Sequence, residues 1–371
     1  MRWNGSDCDA VQVFHAQTEP CPGDPDKYLD GPYDFCRSEP DVKPSEQPAF
    51  KAACRFRFLI QTLAVLLLPA CLAAETPQDL LAAGRVDQAL QTLEHLLQTS
   101  PNAEAYNLLC RAHFELDNWD AGIPACEKAV SLAPENGLYH LWLGRIYGEK
   151  ADRAGFLSAV GLAKKVRLEF ERAVELTPNS WEARTDLAEF YLEAPGIVGG
   201  GKDKARAQAE RLAPLNPSMA HWVKGRIAER NKDNTAAEQE YRAAITASKG
   251  GARAWLNLAG FYRHTNRFDD MEQALHSMES STLDHPGALV DGASMLLRTG
   301  RGYPMAIRLL RRYISSPNAV EEAPVFKAHY LFGEVLEKQS DRPAAAGEYR
   351  AALAMAHTFR PAQDGLSRMT R

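Results

Sequence analysis

Four times along the chain an apolar run closes on a proline in the same way: "LEHLLQTSPN", "ACEKAVSLAPEN", "EFERAVELTPNS" and "QAERLAPLNPS". The prolines are Pro101, Pro134, Pro178 and Pro217, separated by 33, 44 and 39 residues. Between them the pattern is an apolar helix, a short polar turn and a second helix, as in "EAYNLLCRAHFELDNWDAGIPACEKAVSLAPEN". A period of about 34 residues, with insertions of about 10 and about 5, marks a stacked array of identical units. No single unit of that size buries its own apolar face, so each must lean on its neighbours. Abundant Ala and Leu, with few runs of Val, Ile and Thr, favour helix throughout.

The unit resembles the tetratricopeptide repeat, a helix-turn-helix with W-x₂-L-G-x₂-Y followed by small, aromatic, small and Pro residues. The clearest first helices are "HLWLGRIY" (His140, Leu143, Gly144, Tyr147) and "WLNLAGFY" (Trp255, Leu258, Ala259, Tyr262). The clearest second helices are "AAEQEYRAAI" (Ala237, Tyr241, Ala244) and "AAAGEYRAAL" (Ala345, Tyr349, Ala352). Less regular copies begin near Gln78, Glu182, Gly287 and Lys327. About eight repeats fill 76–371, and the final "AQDGLSRMTR" reads as a polar capping helix. The resemblance implies an all-α solenoid of helix-turn-helix units wound into a right-handed superhelix, in an exported bacterial protein. Small residues such as Gly144, Ala173 and Ala237 let paired helices approach. Tyr147, Phe170, Trp255 and Tyr262 fill the space between successive pairs.

Two segments precede the array. Residues 1–50 hold ten Asp/Glu against four Lys/Arg, so the rest of the chain is nearly neutral although the whole carries −5. This extension is rich in Pro, Asp and Cys and lacks apolar periodicity, which predicts disorder. Cys8, Cys21, Cys36 and Cys54 lie too far apart for zinc-ligand spacing, and no metal site is expected. Residues 51–75 have the three parts of a secretory signal: Lys51, Arg55 and Arg57, then the apolar run Phe58–Leu68, then small residues after Pro69. The run is short for a membrane span. Export to the periplasm or exterior is the expectation. The alternatives are acylation of Cys71 in "LPAC" and retention as an anchor through 58–74. Membrane contact is expected only through this segment. A leader fifty residues into the chain suggests that synthesis begins nearer to it.

One stretch inside the array imitates a phosphate site. Gly196, Gly201 and Lys202 in "APGIVGGGKDKA" match the opening of a P-loop. A P-loop follows a strand and ends in Lys-Ser/Thr, whose hydroxyl holds Mg²⁺. Here a helix precedes the glycines, and Asp203 replaces the hydroxyl residue. Asp203 is expected to cap the next helix, and the glycines to form a turn that is either merely long or folds over the concave face. No nucleotide, cofactor or enzymatic activity is predicted. H-E-x-x-H, G-x-S-x-G and C-x-x-C are all absent, and no basic block suits nucleic acid.

The family's groove, lined by first helices, implies a protein or peptide partner and a scaffold or adaptor function outside the cytoplasm. A lipid-anchored accessory factor for membrane assembly or secretion is the alternative. Matching the repeats in phase places Asn107, Arg111, Phe114, Arg145, Glu189, Trp222, Arg226, Arg230 and Arg263 on that face. Arg111, Arg145 and Arg226 recur at one point of the first helix. Either they grip an acidic or C-terminal segment, with Trp222 as apolar anchor, or neighbouring carboxylates already satisfy them. Cys110 and Cys126 fall where paired helices touch, as a disulfide or as two small buried residues.

Overall fold

The computed structural model describes residues 75–370. The acidic extension, the leader-like segment up to residue 74 and Cys71 lie outside the described residues. From Pro77 onward the chain runs as helix pairs: α1 (Pro77–Ala82) with α2 (Val86–Thr99), α3 (Ala103–Glu115) with α4 (Trp119–Leu132), and α5 (Gly137–Asp152) with α6 (Phe156–Leu176). Next come α7 (Trp181–Glu193) with α8 (Lys202–Leu212), α9 (Pro217–Arg230) with α10 (Asn234–Ala247), and α11 (Ala252–His264) with α12 (Phe268–Glu279). The last are α13 (Ala288–Thr299) with α14 (Tyr303–Ile314), α15 (Val325–Lys338) with α16 (Arg342–Met355), and a single helix, α17 (Arg360–Thr370). The pairs stack on one another as an all-α solenoid. Among the described residues no helix is long and apolar enough to cross a membrane.

Local chemistry sets the breaks. After Pro101, Asn102 accepts a hydrogen bond from the Ala105 amide at 2.9 Å and opens α3. Asn136, Ser180 and Asn216 open α5, α7 and α9 in the same manner. Pro217 is the first residue of α9 rather than the last of α8, a position where its missing N–H costs nothing. Within pairs, seven of the eight turns of the described residues pass through the left-handed region: at Gly84, Asp117, Gly199, Lys232, Asn266, Gly300 with Gly302, and Ser340. The exception is the turn between α5 and α6, the pair lengthened by the first insertion.

Packing repeats with the period. A Cβ on Gly144 would lie 2.5 Å from Phe170, and one on Gly333 would lie 2.6 Å from Tyr349, so the first helix must be bare where the second presents its aromatic ring. Between pairs, the Tyr191 and Tyr262 hydroxyls donate to Glu171 (2.9 Å) and Glu238 (2.8 Å) on the preceding second helix, and Tyr147 does the same to Glu127. Three of the pairs are thereby fixed to the one before.

Extra helix length takes up the first insertion, giving 16 residues in α5 and 21 in α6. The second insertion is a 3₁₀ turn, Gly196–Val198, that lies on α6 through Val198, Ala194 and Ala163. The expected cap is corrected here. Gly201 occupies the cap position of α8, and Asp203 turns outward to Arg206 at 2.7 Å.

The two ends of the array meet. Leu80, Leu81, Val86, Leu93 and Leu108 share one apolar cluster with Phe326, Ala352, Ala356, Phe359 and Ala362. Gly84 sits against the backbone of Val325, where a Cβ would lie 2.7 Å from the Val325 nitrogen. Lys327 reaches Asp117 at 2.8 Å, and the His357 amide donates to Asp87 at 2.8 Å. The last pair is thus covered on its far side by the first pair as well as by α17.

Candidate interaction groove

First helices of successive pairs touch one another along the stack. Among the described residues, eleven of the twelve buried polar or charged side chains stand on these helices, and the twelfth, His285, lies three residues before α13. Such a concentration is unusual, because buried ionic groups persist only with compensating partners. Here the partners come from neighbouring pairs.

Arg111 forms a two-pronged ion pair with Glu321, its Nε lying 2.6 Å from Oε1. Arg145 donates through Nε to Asp186 at 2.8 Å, on the next first helix. Arg226 reaches Glu193 at 2.6 Å, Glu229 at 3.4 Å and Glu189 at 3.9 Å. Arg230 also pairs with Glu193, while Arg263 contacts His264 at 2.9 Å. Every arginine of the expected row therefore has a polar neighbour from the chain itself. The three recurrent ones are buried rather than solvated.

Aromatic rings sit inside this network. The Trp142 ring lies between the guanidinium groups of Arg111 (5.2 Å) and Arg145 (4.8 Å), and Phe114 meets it edge-on at 5.4 Å. Trp222 is buried in the core with Arg226 at 5.8 Å, so it does not stand out as an exposed anchor. Asn107 is buried one turn before Arg111. Cys110 and Cys126, on α3 and α4, are joined by a disulfide with Cα atoms 5.2 Å apart.

The carboxylates carry the electrostatic strain. Burial pushes Glu189 up to about 8 despite Arg226, and Asp186 up to about 7 despite Arg145. Glu115 is raised well above the usual range by burial, and Glu321 nearby raises it further. Arg111 holds its charge more firmly than usual: burial opposes the charge, but Glu321 more than compensates. Both oxygens of Glu115, Oε1 of Glu189, the Asn107 Nδ2 and the Trp142 Nε1 are buried without a hydrogen-bond partner among the described residues. Glu115, Trp142 and Asp186 do not stand out from sequence. Glu115 and Trp142 had a usable signal, standing four residues after Arg111 and three before Arg145 on the same helix faces. Glu321, beside Glu322, reads from sequence only as a solvated carboxylate of a turn, and nothing in the pattern pairs it with Arg111.

The tetratricopeptide repeat family matches residues 80–146 and again residues 198–252. Those two segments match the tetratricopeptide repeat, and the helix pairs of the described residues have the arrangement typical of it. Comparison with curated proteins finds no significant match. Among solved structures the repeats are similar to yeast Tom70, at 14% identity over 77% of this chain and 58% of that one, with a TM-score of 0.46. A thermophilic repeat protein of Thermus thermophilus is similar at 17% identity over 55% and 95% of the two chains, with a TM-score of 0.41. The Cut9-Hcn1 structure is similar at 15% identity, covering 80% of this chain, with a TM-score of 0.36; this chain spans only 54% of its length. The tetratricopeptide repeat is a non-catalytic scaffold for protein interaction, and among the described residues no cluster of His, Cys, Asp and Glu is placed to hold a metal ion.

Proposed function

We propose that this repeat protein is a scaffold that takes an extended segment of a partner protein against its inner face, and that the segment bears a basic side chain. One observation carries the reading: the arginines of that face are matched by the chain's own carboxylates, whereas both oxygens of the buried Glu115 have no hydrogen-bond partner. A buried acceptor left unpaired costs free energy that an incoming lysine or arginine relieves. The Asn107 amide and the Trp142 indole are donors suited to backbone carbonyls of the same segment. The acidic ligand expected from the arginine row is the weaker reading, because such a ligand has to displace existing ion pairs. The leader pattern of residues 51–75 supports a location outside the cytoplasm. The same segment supports, as second reading, an accessory factor held at a membrane through 58–74 or an acylated Cys71.

The test is binding of the full chain to immobilised peptides that differ only in carrying Lys/Arg or Asp/Glu at fixed positions. Basic peptides are expected to be retained, and Glu115→Gln to weaken them about tenfold while leaving the fold intact. Preferential capture of acidic peptides, or capture indifferent to Glu115→Gln, overturns the proposal.

A further inference from the structure

The two insertions converge on one edge of the array. Val198 and Ala194 bury themselves with Ala163 of α6, and Gly199 packs against the Arg167 side chain. This contact holds the 3₁₀ turn rigidly on α6. Its consequence is that Ile197, next to the buried Val198, must point away from the protein.

Ile197 is 81% exposed, and on α6 Phe156, Leu157 and Leu168 are 63%, 85% and 56% exposed. The other exposed large apolar residues among those described, Leu132, Leu138 and Leu215, are less exposed, and none stands on α6 or on the turn. Scattered exposed leucines need no explanation, but several fully presented residues on one edge do. Gly155, Gly161 and Gly196 beside them face open space.

Charge completes the picture. Residues 153–168 hold Arg153, Lys164, Lys165 and Arg167 and no carboxylate, and residues 195–206 hold Lys202, Lys204 and Arg206 against Asp203 alone. Lys165, Arg153, Arg167 and Arg206 have acidic neighbours. Lys164, Lys202 and Lys204 make no ion pair among the described residues, and Lys204 is held at the turn by the Gly199 carbonyl at 2.8 Å. An edge that is both apolar and cationic matches one chemistry, an anionic lipid surface, where apolar side chains enter the acyl boundary and lysines meet headgroup phosphates. A second copy of the chain is a poor occupant, since it would bring like charge to like charge.

We propose that the edge formed by the start of α6 and the turn at Gly196–Val198 docks on anionic membrane surfaces. This contact is separate from the apolar segment Phe58–Leu68, and it does not depend on what the inner face binds.

The experiment is hydrogen exchange of the full chain with vesicles of phosphatidylglycerol and phosphatidylcholine, and with phosphatidylcholine alone. Amides of 155–165 and 196–204 are expected to gain protection at least severalfold on the anionic vesicles only. The variant Phe156→Ser/Leu157→Ser/Ile197→Ser, and separately Lys164→Glu/Lys202→Glu/Lys204→Glu, are expected to abolish that protection. All six positions are exposed, so the fold is retained, and co-sedimentation of the chain with each vesicle preparation is measured in parallel. Unchanged exchange at this edge on vesicles that bind the chain overturns the proposal. So does equal protection on neutral vesicles, or protection that grows with protein concentration in the absence of lipid, which would instead identify a second copy as the occupant.

Discussion

Arg111 in the second helix pair and Glu321, 210 residues later, form a two-pronged ion pair buried where the two ends of the repeat array meet. The pair stands beside the apolar seam of Leu80, Leu108, Phe326 and Phe359, so charge and packing hold the same closure. A solenoid whose ends are joined gains contacts that an open one lacks.

Removing one partner of a buried pair is costly because the other charge is left uncompensated. Arg111→Ala strands Glu321 next to the already unfavourable Glu115 and is expected to destabilise the chain by about 3 kcal/mol or more. Urea unfolding measures the loss, and small-angle scattering reads any opening of the seam. Arg111→Lys, which keeps the charge but not the two-pronged geometry, should lose less. Equal stability of the wild type and Arg111→Ala would show that the seam rests on its apolar contacts alone.

Stability is expected to fall as pH rises from about 4.5 to about 8. Glu189 at about 8 and Asp186 at about 7 are both raised above ordinary carboxyls, so the native state keeps their protons longer than the unfolded chain does. Below the unfolded range both states are protonated and nothing is lost; above about 8 the loss is complete. Glu189→Gln should flatten this slope and add about 1–3 kcal/mol at pH 8.5. Thermal melts across that range decide it, and an unchanged slope would mean that Glu189 ionises freely in the folded array.

Cys110 and Cys126 are 16 residues apart in sequence, and their bond ties α3 to α4. Closing a loop of that length is worth about 3 kcal/mol, so reductant should lower the melting temperature by several degrees. Cys126→Ser should melt at the reduced value with or without reductant. Mass spectrometry after alkylation without reductant reports whether the bond is present in the sample.

Glycine at the helix crossing is graded by the room around it. A Cβ on Gly333 would lie 2.6 Å from the Tyr349 ring, whereas on Gly225 the nearest approach to Tyr241 is 3.0 Å. Gly333→Ala is expected to cost about 1–3 kcal/mol through overpacking, and Gly225→Ala less, because the gain in helix propensity partly offsets the milder contact. Denaturant midpoints of the two variants test the order.

The candidate inner face was only half legible. Phase alone put Asn107, Arg111, Arg145, Glu189 and Arg226 on one side, because first helices repeat their facing positions. Their chemistry was not readable from phase, since each arginine's partner sits on another pair or beyond it: Asp186 for Arg145, Glu193 for Arg226 and Glu321 for Arg111. Trp222 looked like an anchor for want of any way to see that the core encloses it. Asp203 looked like a cap because acidic residues favour helix starts, but Gly201 had already taken the position.

What the sequence determined by itself is the helical period and the apolar packing within a pair and between nearest pairs. Helix lengths follow from the apolar period, breaks from Asn and Pro, and close approach from a small residue opposite an aromatic one, as at Gly144 and Phe170. These are short-range interactions, and each is written within about 40 residues of chain. Whether the array stays open or closes is a different kind of quantity. It depends on the small rotation between successive pairs, summed over all of them and altered by two insertions. A few degrees in each pair, invisible in any local pattern, decide whether Glu321 arrives beside Arg111 or far from it. Only the tertiary structure carries that sum.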